Sequence, residues 1–506
     1  MNRGKALLCT PHSALQIRLS LVLLSLSLLL AGAAAVSGQD PRASLQQRRQ
    51  SAEQRLNSGD RSATAWCELL DALYRADESD AALGAARNAL AEHPADRGVV
   101  ARAARALFRG GELESAARLL SESGEVAGEP AAAVVLSKLL HSEGRLADAA
   151  SVAALCLPAH ADDPELHYQL ALLNARLQRH ETAAEHYARA AELAGAQSPG
   201  YPFELITRRC TGRAALHRAV GTATLNEVQA GCSVPLLIPA ALPLPTLDVR
   251  INGQTSARML LDLGGGAALS LDDDLARRVG LSPLAEARVA DLTGGLTPMH
   301  WALTPLLQIG ECRLERVATQ IYDFAGESLP GIDGIIGAGL FAGHRLQLDV
   351  AGAQIRVGPS QAETGDPSTP ERQVLEVRFL SGDQAVLPAT VKDRRVNGIL
   401  DIGSPITCVS SELLASLVPA QQIRPLHLEG LDAQVADGLP FAIGRRTFVP
   451  PQTMALPFIG REASRTLGTH VDVMFGWDVF KQVRAVTIDY PTNKIIFDWV
   501  AAPPGP

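Results

Sequence analysis

The chain has 506 residues, 47% of them hydrophobic and 20% charged, with a formal net charge of −8. That length exceeds one compact core and implies several domains. The acidic balance offers no electrostatic footprint for nucleic acid, and aromatics at 4% leave too few rings for base-stacking platforms.

In chain order, residues 1–38 read as an export signal, with Arg3, Lys5 and Arg18 ahead of the apolar run Leu19 to Leu30 and then small residues from Ala31 to Ala35. The mature chain would begin near Val36 or Gln39, with no stable membrane span left after signal removal and a secreted or periplasmic location. The competing reading is a retained anchor, because apolar and small residues run on to Val36. Residues 39–62 are polar and read as a linker.

An alanine-rich helical region follows, from 63 to 197. Trp66, Leu69, Leu73, Ala82, Ala86, Ala89 and Pro94 open a pattern whose register continues through Ala116, Ala149 and Ala183, at steps of 34, 33 and 34 residues. The last copy adds Leu170, Ala171, Tyr187 and Ala190. Small residues are needed where the paired helices of a unit press together, and large ones fill the gaps between units. The pattern resembles the tetratricopeptide repeat. That resemblance implies four stacked helix pairs and a concave groove for a partner or substrate protein, while a structural prop for the rest of the chain is the alternative.

Residues 198–231 form a connector with a short helix predicted near Arg213 to Val220. Among the cysteines, no Cys-X-X-Cys supports a zinc, redox or other cofactor site. Cys210 and Cys232 bracket the connector and are the pair a short-range disulfide would use. Cys408 reads as a small buried apolar residue, since no histidine lies in a comparable setting to activate it.

The remainder divides into 232–358 and 374–500, separated by the polar, proline-bearing segment 359–373 and followed by a tail at 501–506. Each half carries an apolar run ending in Asp-X-Gly: Leu260-Leu261-Asp262-Leu263-Gly264-Gly265 and Ile399-Leu400-Asp401-Ile402-Gly403-Ser404. One such copy is an ordinary strand-to-turn junction. Here, however, Asp333-Gly334-Ile335-Ile336-Gly337 and Asp472-Val473-Met474-Phe475-Gly476 both begin 71 residues beyond their aspartates. Asp349 and Asp489 follow at 87 and 88 residues, and the segments beginning at Val234 and Val374 precede by 28 and 27. Landmarks in register mean two structural copies of one unit.

This duplicated pattern resembles the aspartic proteases of the pepsin and retropepsin group, as though two retropepsin subunits were fused end to end. The resemblance implies an all-β bilobal domain in which Asp262 and Asp401 meet as catalytic residues within active-site loops formed by Gly264, Gly265, Gly403 and Ser404. It implies hydrolysis of peptide bonds without metal or cofactor. Two substrate-covering hairpins are expected, Val289 to Trp301 with Gly294 and Gly295 at its tip, and Leu428 to Phe441 with Gly430 and Gly438. The family carries threonine after each aspartate, where this chain has Leu263 and Ile402, which cannot make the family's hydroxyl bond across the lobes. Two functions stand on this sequence: an exported aspartic endopeptidase, and a catalytically silent protease-like scaffold that binds peptides or proteins.

Overall fold

The computed structural model describes residues 41–123, 128–197, 200–222, 227–228, 231–240, 242–290, 296–323, 331–360, 371–380, 383–428 and 431–500. Within 63–197 four helix pairs follow one another: Ala63–Arg75 with Ser79–Glu92, Arg97–Arg109 with Leu113–Glu122, Pro130–Ser142 with Leu146–Cys156, and Pro164–Arg176 with His180–Ala196. The first helices of three pairs are capped by Ser62, Asp96 and Asp163, each accepting from a backbone N–H of the first turn. The third pair starts instead with Pro130, whose fixed φ suits the first helical position. Ala86, Ala116, Ala149 and Ala183 are fully buried, which is why the repeat can tolerate nothing larger there.

The array is longer at both ends than its repeat pattern. The expected linker 39–62 contains the helix Pro41–Asn57, whose face Ala52 and Leu56 packs against Trp66, Leu69 and Leu73. The connector contains Phe203–Cys210 as well as Arg213–Val220, and both pack on His180–Ala196. No helix among the described residues is long and apolar enough to cross a membrane. Residues 1–40 lie outside the described residues.

The C-terminal part forms three sheets among the described residues. One, eight-stranded, belongs to the first lobe, another to the second, and a six-stranded sheet is built from both. The duplication is visible in the pairings. Strand Thr255–Asp262 runs parallel to Gly334–Gly337, and Arg394–Leu400 runs parallel to Val473–Phe475. Each of these partners also pairs antiparallel with the strand that follows its aspartate, Leu269–Leu271 or Cys408–Ser410. Asp333 N–H donates to Arg258 O at 2.8 Å, and Asp472 N–H donates to Asn397 O at 3.0 Å, each four residues before its aspartate. The lobes join where Arg345–Asp349 pairs antiparallel with Val483–Asp489 in the shared sheet.

Cysteine pairing differs from the short-range expectation. Cys232 is bonded to Cys312, 80 residues on, with Cα atoms 5.3 Å apart, while Cys210 is a free, buried thiol. Cys210 faces Tyr168, Tyr187 and Phe203 inside the array, where burial pushes it up to about 12.

The array is not a tethered module. Helices from 97 to 142 share one apolar core with Leu380, Ile399, Met454, Phe458 and Met474 of the second lobe. Around it lie Arg109, ion-paired to Asp77 at 2.7 Å with both side chains buried, and Arg465 of the second lobe, 3.0 Å from the same Asp77 carboxylate. Asn397 donates to Gly111 O at 3.1 Å and Thr469 to Phe108 O at 2.6 Å. At its other end the array meets the first lobe, where Arg213 lies over the Trp301 ring and Leu216 packs with Met299, Trp301 and Tyr322.

Candidate active site

Each aspartate ends a buried strand and begins a tight loop. Asp262 Oδ1 accepts from Gly264 N–H at 2.9 Å and Gly265 N–H at 3.1 Å, and Asp401 Oδ1 accepts from Gly403 N–H at 3.1 Å and Ser404 N–H at 3.2 Å. The two loops interlock. A Cβ on Gly264 would stand 2.5 Å from Asp401 Cγ, and one on Gly403 would stand 2.8 Å from Asp262 Cγ. Only glycine allows each carboxylate to lie against the Cα of the opposing loop.

The later segments hold these loops from behind. Ala338 N–H donates to Gly265 O at 2.9 Å, and Trp477 N–H donates to Ser404 O at 2.6 Å. A side chain on Gly337 would strike the carbonyls of Ala267 and Gly265, and one on Gly476 would strike Ile406. This explains why both apolar runs end in glycine. Ser404 Oγ donates to Ile406 O at 2.8 Å, inside its own loop, and Thr407 bridges Asp478 and the Gly476 N–H. Leu263 and Ile402 are buried in the core common to both lobes, supplying apolar contact where a hydroxyl bond was lacking.

Asp262 and Asp401 are both fully buried, and among the described residues no N–H or O–H group donates to the Oδ2 atom of either. Two carboxylates so placed bond to one another only when one carries a proton. Burial, and then the Asp401 charge, raises Asp262 well above the usual carboxylate range. Burial raises Asp401 to about 6, opposed by its hydrogen bond with Asp262 and by the Gly403 and Ser404 N–H groups. Two neighbouring buried carboxyls that are both raised in this way are suited to sharing one proton, the arrangement that simultaneous acid and base work requires.

Residues 247–340 match the family model for aspartyl proteases. The chain resembles that family. A comparison with curated proteins finds no match. Among solved structures, a retropepsin-like aspartic protease from Rickettsia conorii is 14% identical, covering 26% of this chain and 93% of its own, with a TM-score of 0.20. A thermophilic TPR protein from Thermus thermophilus is 21% identical, covering 34% of this chain and 96% of its own, with a TM-score of 0.27. The architecture is a tetratricopeptide-like helical array followed by an all-β, aspartic-protease-like domain.

The hairpin residues fare unevenly. Strands Ala285–Ala290 and Leu296–Ile309 pair, as do Arg424–Leu428 and Leu431–Asp437, but Gly294, Gly295 and Gly430 lie outside the described residues. Gly438 is not at a tip. It follows the second hairpin's return strand and packs so closely on the Pro450 carbonyl that no side chain fits. Cys408 is buried in its strand and its thiol is pushed well above the ordinary range by burial, in keeping with an apolar role. Tyr322 went unnoticed in the sequence. It is buried, and close enough to Ser270 and to the Asp262 charge for both to bear on its hydroxyl.

Proposed function

We propose that this protein is an exported aspartic endopeptidase that cleaves peptide bonds with water activated between Asp262 and Asp401. The observation that carries the reading is the interlocked pair of fully buried carboxylates, each held on one oxygen by two N–H groups, with no N–H donor on the other among the described residues. With one proton on Asp262, the Asp401 carboxylate takes a proton from water as its oxygen attacks the scissile carbonyl carbon. Asp262 gives its proton to the carbonyl oxygen. The resulting gem-diol returns a hydroxyl proton to Asp262, Asp401 protonates the amide nitrogen, and the C–N bond breaks. The pair ends with the single proton it began with, and no covalent intermediate forms.

A second reading, a protease-like scaffold without turnover, is favoured by one feature. Both carboxylates are fully buried, so a peptide reaches them only if the surrounding chain moves aside. Cleavage of a peptide library by the wild type, Asp262→Asn and Asp401→Asn decides between them. Turnover confined to the wild type supports the endopeptidase, and equal background in all three supports the scaffold.

The helical array would bind the substrate protein or a partner. It presents a groove of about 570 Å³ lined by both signs of charge, including Glu68, Asp71, Arg102 and Arg105. Export is supported by the sequence of residues 1–38 and by the Cys232–Cys312 bond, which persists in oxidising compartments. Fractionation with sequencing of the mature N-terminus tests it: an intact Met1 in cytosol would refute export.

A further inference from the structure

Gln384 has no part in the reaction just described, yet it touches the machinery that holds it. The residue lies immediately before strand Ala385–Val391 of the second lobe, is buried, and donates its side-chain Nε2 to the carbonyl oxygen of Gly264 in the first lobe's loop. That carbonyl is one end of a peptide unit. The other end is the Gly265 N–H, which donates to Asp262 Oδ1 at 3.1 Å. Because the unit is planar, a bond on its oxygen fixes the direction of its N–H. It also polarises the unit, so that the N–H becomes a stronger donor. A second-lobe side chain thereby sets a hydrogen bond to a first-lobe carboxylate, a task for which Leu263 and Ile402 carry no polar group.

The helical array in turn sets Gln384. Its neighbour Asp383 has a left-handed backbone, φ 66°, and its carboxylate is ion-paired to Arg176 at the end of helix Pro164–Arg176. Within the second lobe, Asp383 N–H donates to Leu380 O at 3.0 Å and Leu380 N–H donates to Gln384 O at 3.3 Å. Leu380 belongs to the core shared with the array, and Arg378 reaches Ser142 Oγ at 3.2 Å. Aspartate is among the residues that tolerate such a backbone, and its surroundings fix it there. The array supplies one of the holding contacts, the Arg176 ion pair, and the second lobe supplies the Leu380 bonds.

We infer that Gln384 is the positioning residue that aligns the aspartate pair across the lobes, and that Arg176–Asp383 makes the helical array part of that grip. This rests on Asp262 and Asp401 acting as a proton-sharing pair. The array therefore tunes the site in addition to whatever its groove binds.

The test uses the full chain with Gln384→Met, which keeps length and bulk but cannot donate, and Arg176→Met, which is remote from both carboxylates. Carboxyl carbon NMR follows the titration of Asp262 and Asp401, and turnover of a cleaved library peptide gives kcat and KM separately. Gln384→Met is expected to shift the pair's titration and lower kcat about 10- to 100-fold with KM nearly unchanged, the size of effect that a misplaced catalytic group produces. Arg176→Met is expected to act in the same direction and more weakly. Gln384→Glu can donate to the carbonyl only while protonated, so its rate is expected to fall with rising pH ahead of the wild type's. It also serves if Gln384→Met does not fold. Wild-type titration and kcat in a folded Gln384→Met protein would overturn the grip, and wild-type behaviour of Arg176→Met would overturn the array's share in it. Independent titration of the two aspartates in the wild type would overturn the pair and the inference together. A coupled titration that Gln384→Met disturbs, in a protein cleaving no peptide, would uphold the grip and sink only the catalytic reading.

Discussion

Gly264→Ala is the sharpest perturbation of the interlocked loops. The new methyl would stand 2.5 Å from Asp401 Cγ, 2.7 Å from its Oδ1 and 2.9 Å from its Cβ, where ordinary contact begins at 3.4 Å. The loops must therefore separate by the difference between 3.4 and 2.5 Å, or Asp401 must leave the Gly403 and Ser404 N–H groups that hold it at 3.1 and 3.2 Å. Forcing a methyl into such a packed site costs about 1–3 kcal/mol of stability. A shift of about 1 Å between reacting groups is expected to reduce kcat on the order of 100-fold. Gly84→Ala is the control, because its Cβ would meet nothing within 4 Å on helix Ser79–Glu92, and removing a mid-helix glycine stabilises by about 0.5–1 kcal/mol. Chemical denaturation and steady-state kinetics on the two variants read out both effects. If Gly264→Ala keeps wild-type stability and rate, the carboxylates do not face each other's loops as described.

Other outcomes follow from the same contacts. Asp262→Asn and Asp401→Asn are each expected to abolish peptide turnover alone, with no further loss in the double variant, because the pair acts as one unit; additive effects in the kinetics would contradict this. Both carboxyls titrate higher when folded than the roughly 3.9 of an unfolded aspartate. The folded chain therefore holds extra protons, and the pair's contribution to stability is complete below that pH and declines as pH rises through about 6 for Asp401 and higher for Asp262. Melting temperatures measured across this interval should fall in the wild type and flatten in either Asn variant. Reduction of Cys232–Cys312, or its double replacement by serine, is expected to cost about 2–5 kcal/mol, whereas Cys210→Ser leaves the response to reductant unchanged in a denaturation series. Arg109→Met strands part of the buried Asp77 charge at the array–lobe junction and is expected to cost about 3–5 kcal/mol, visible as a lowered unfolding midpoint.

What the sequence revealed was whatever repeats. The matched spacing behind Asp262 and Asp401 predicted two lobes because a parallel strand pairing must recur at the same chain distance when the unit recurs, and it does at Gly334–Gly337 and Val473–Phe475. The alanine register worked for the same reason, since each alanine marks one helix crossing. Features that occur once left no such trace. Helix Pro41–Asn57 is mostly polar, and its contact with the array rests on a few residues such as Ala52 and Leu56. Cys232 and Cys312 meet through the fold of the first lobe, which chain separation does not reveal, so the nearer Cys210 looked the better partner. Gln384 sits beside an unremarkable aspartate in a strand entry. Its role depends on a carbonyl 120 residues earlier.

The duplication alone would produce a symmetric pair, with neither aspartate distinguished from the other. Several contacts made once break that symmetry. Gln384 grips the Gly264 carbonyl, the core shared with the array lies against the second lobe, and Trp301 of the first lobe takes the Arg213–Val220 helix. Asp262 is the carboxyl whose loop receives the grip, while the loop of Asp401 receives no such bond from Gln384, so the two carboxyls sit in unequal surroundings. A hydrolase that needs one acid and one base at the same instant gains from that inequality, since the two groups do not have to be sorted by the substrate. The array, by packing against each lobe through different contacts, joins the Gln384 grip in making two copies of one unit unequal.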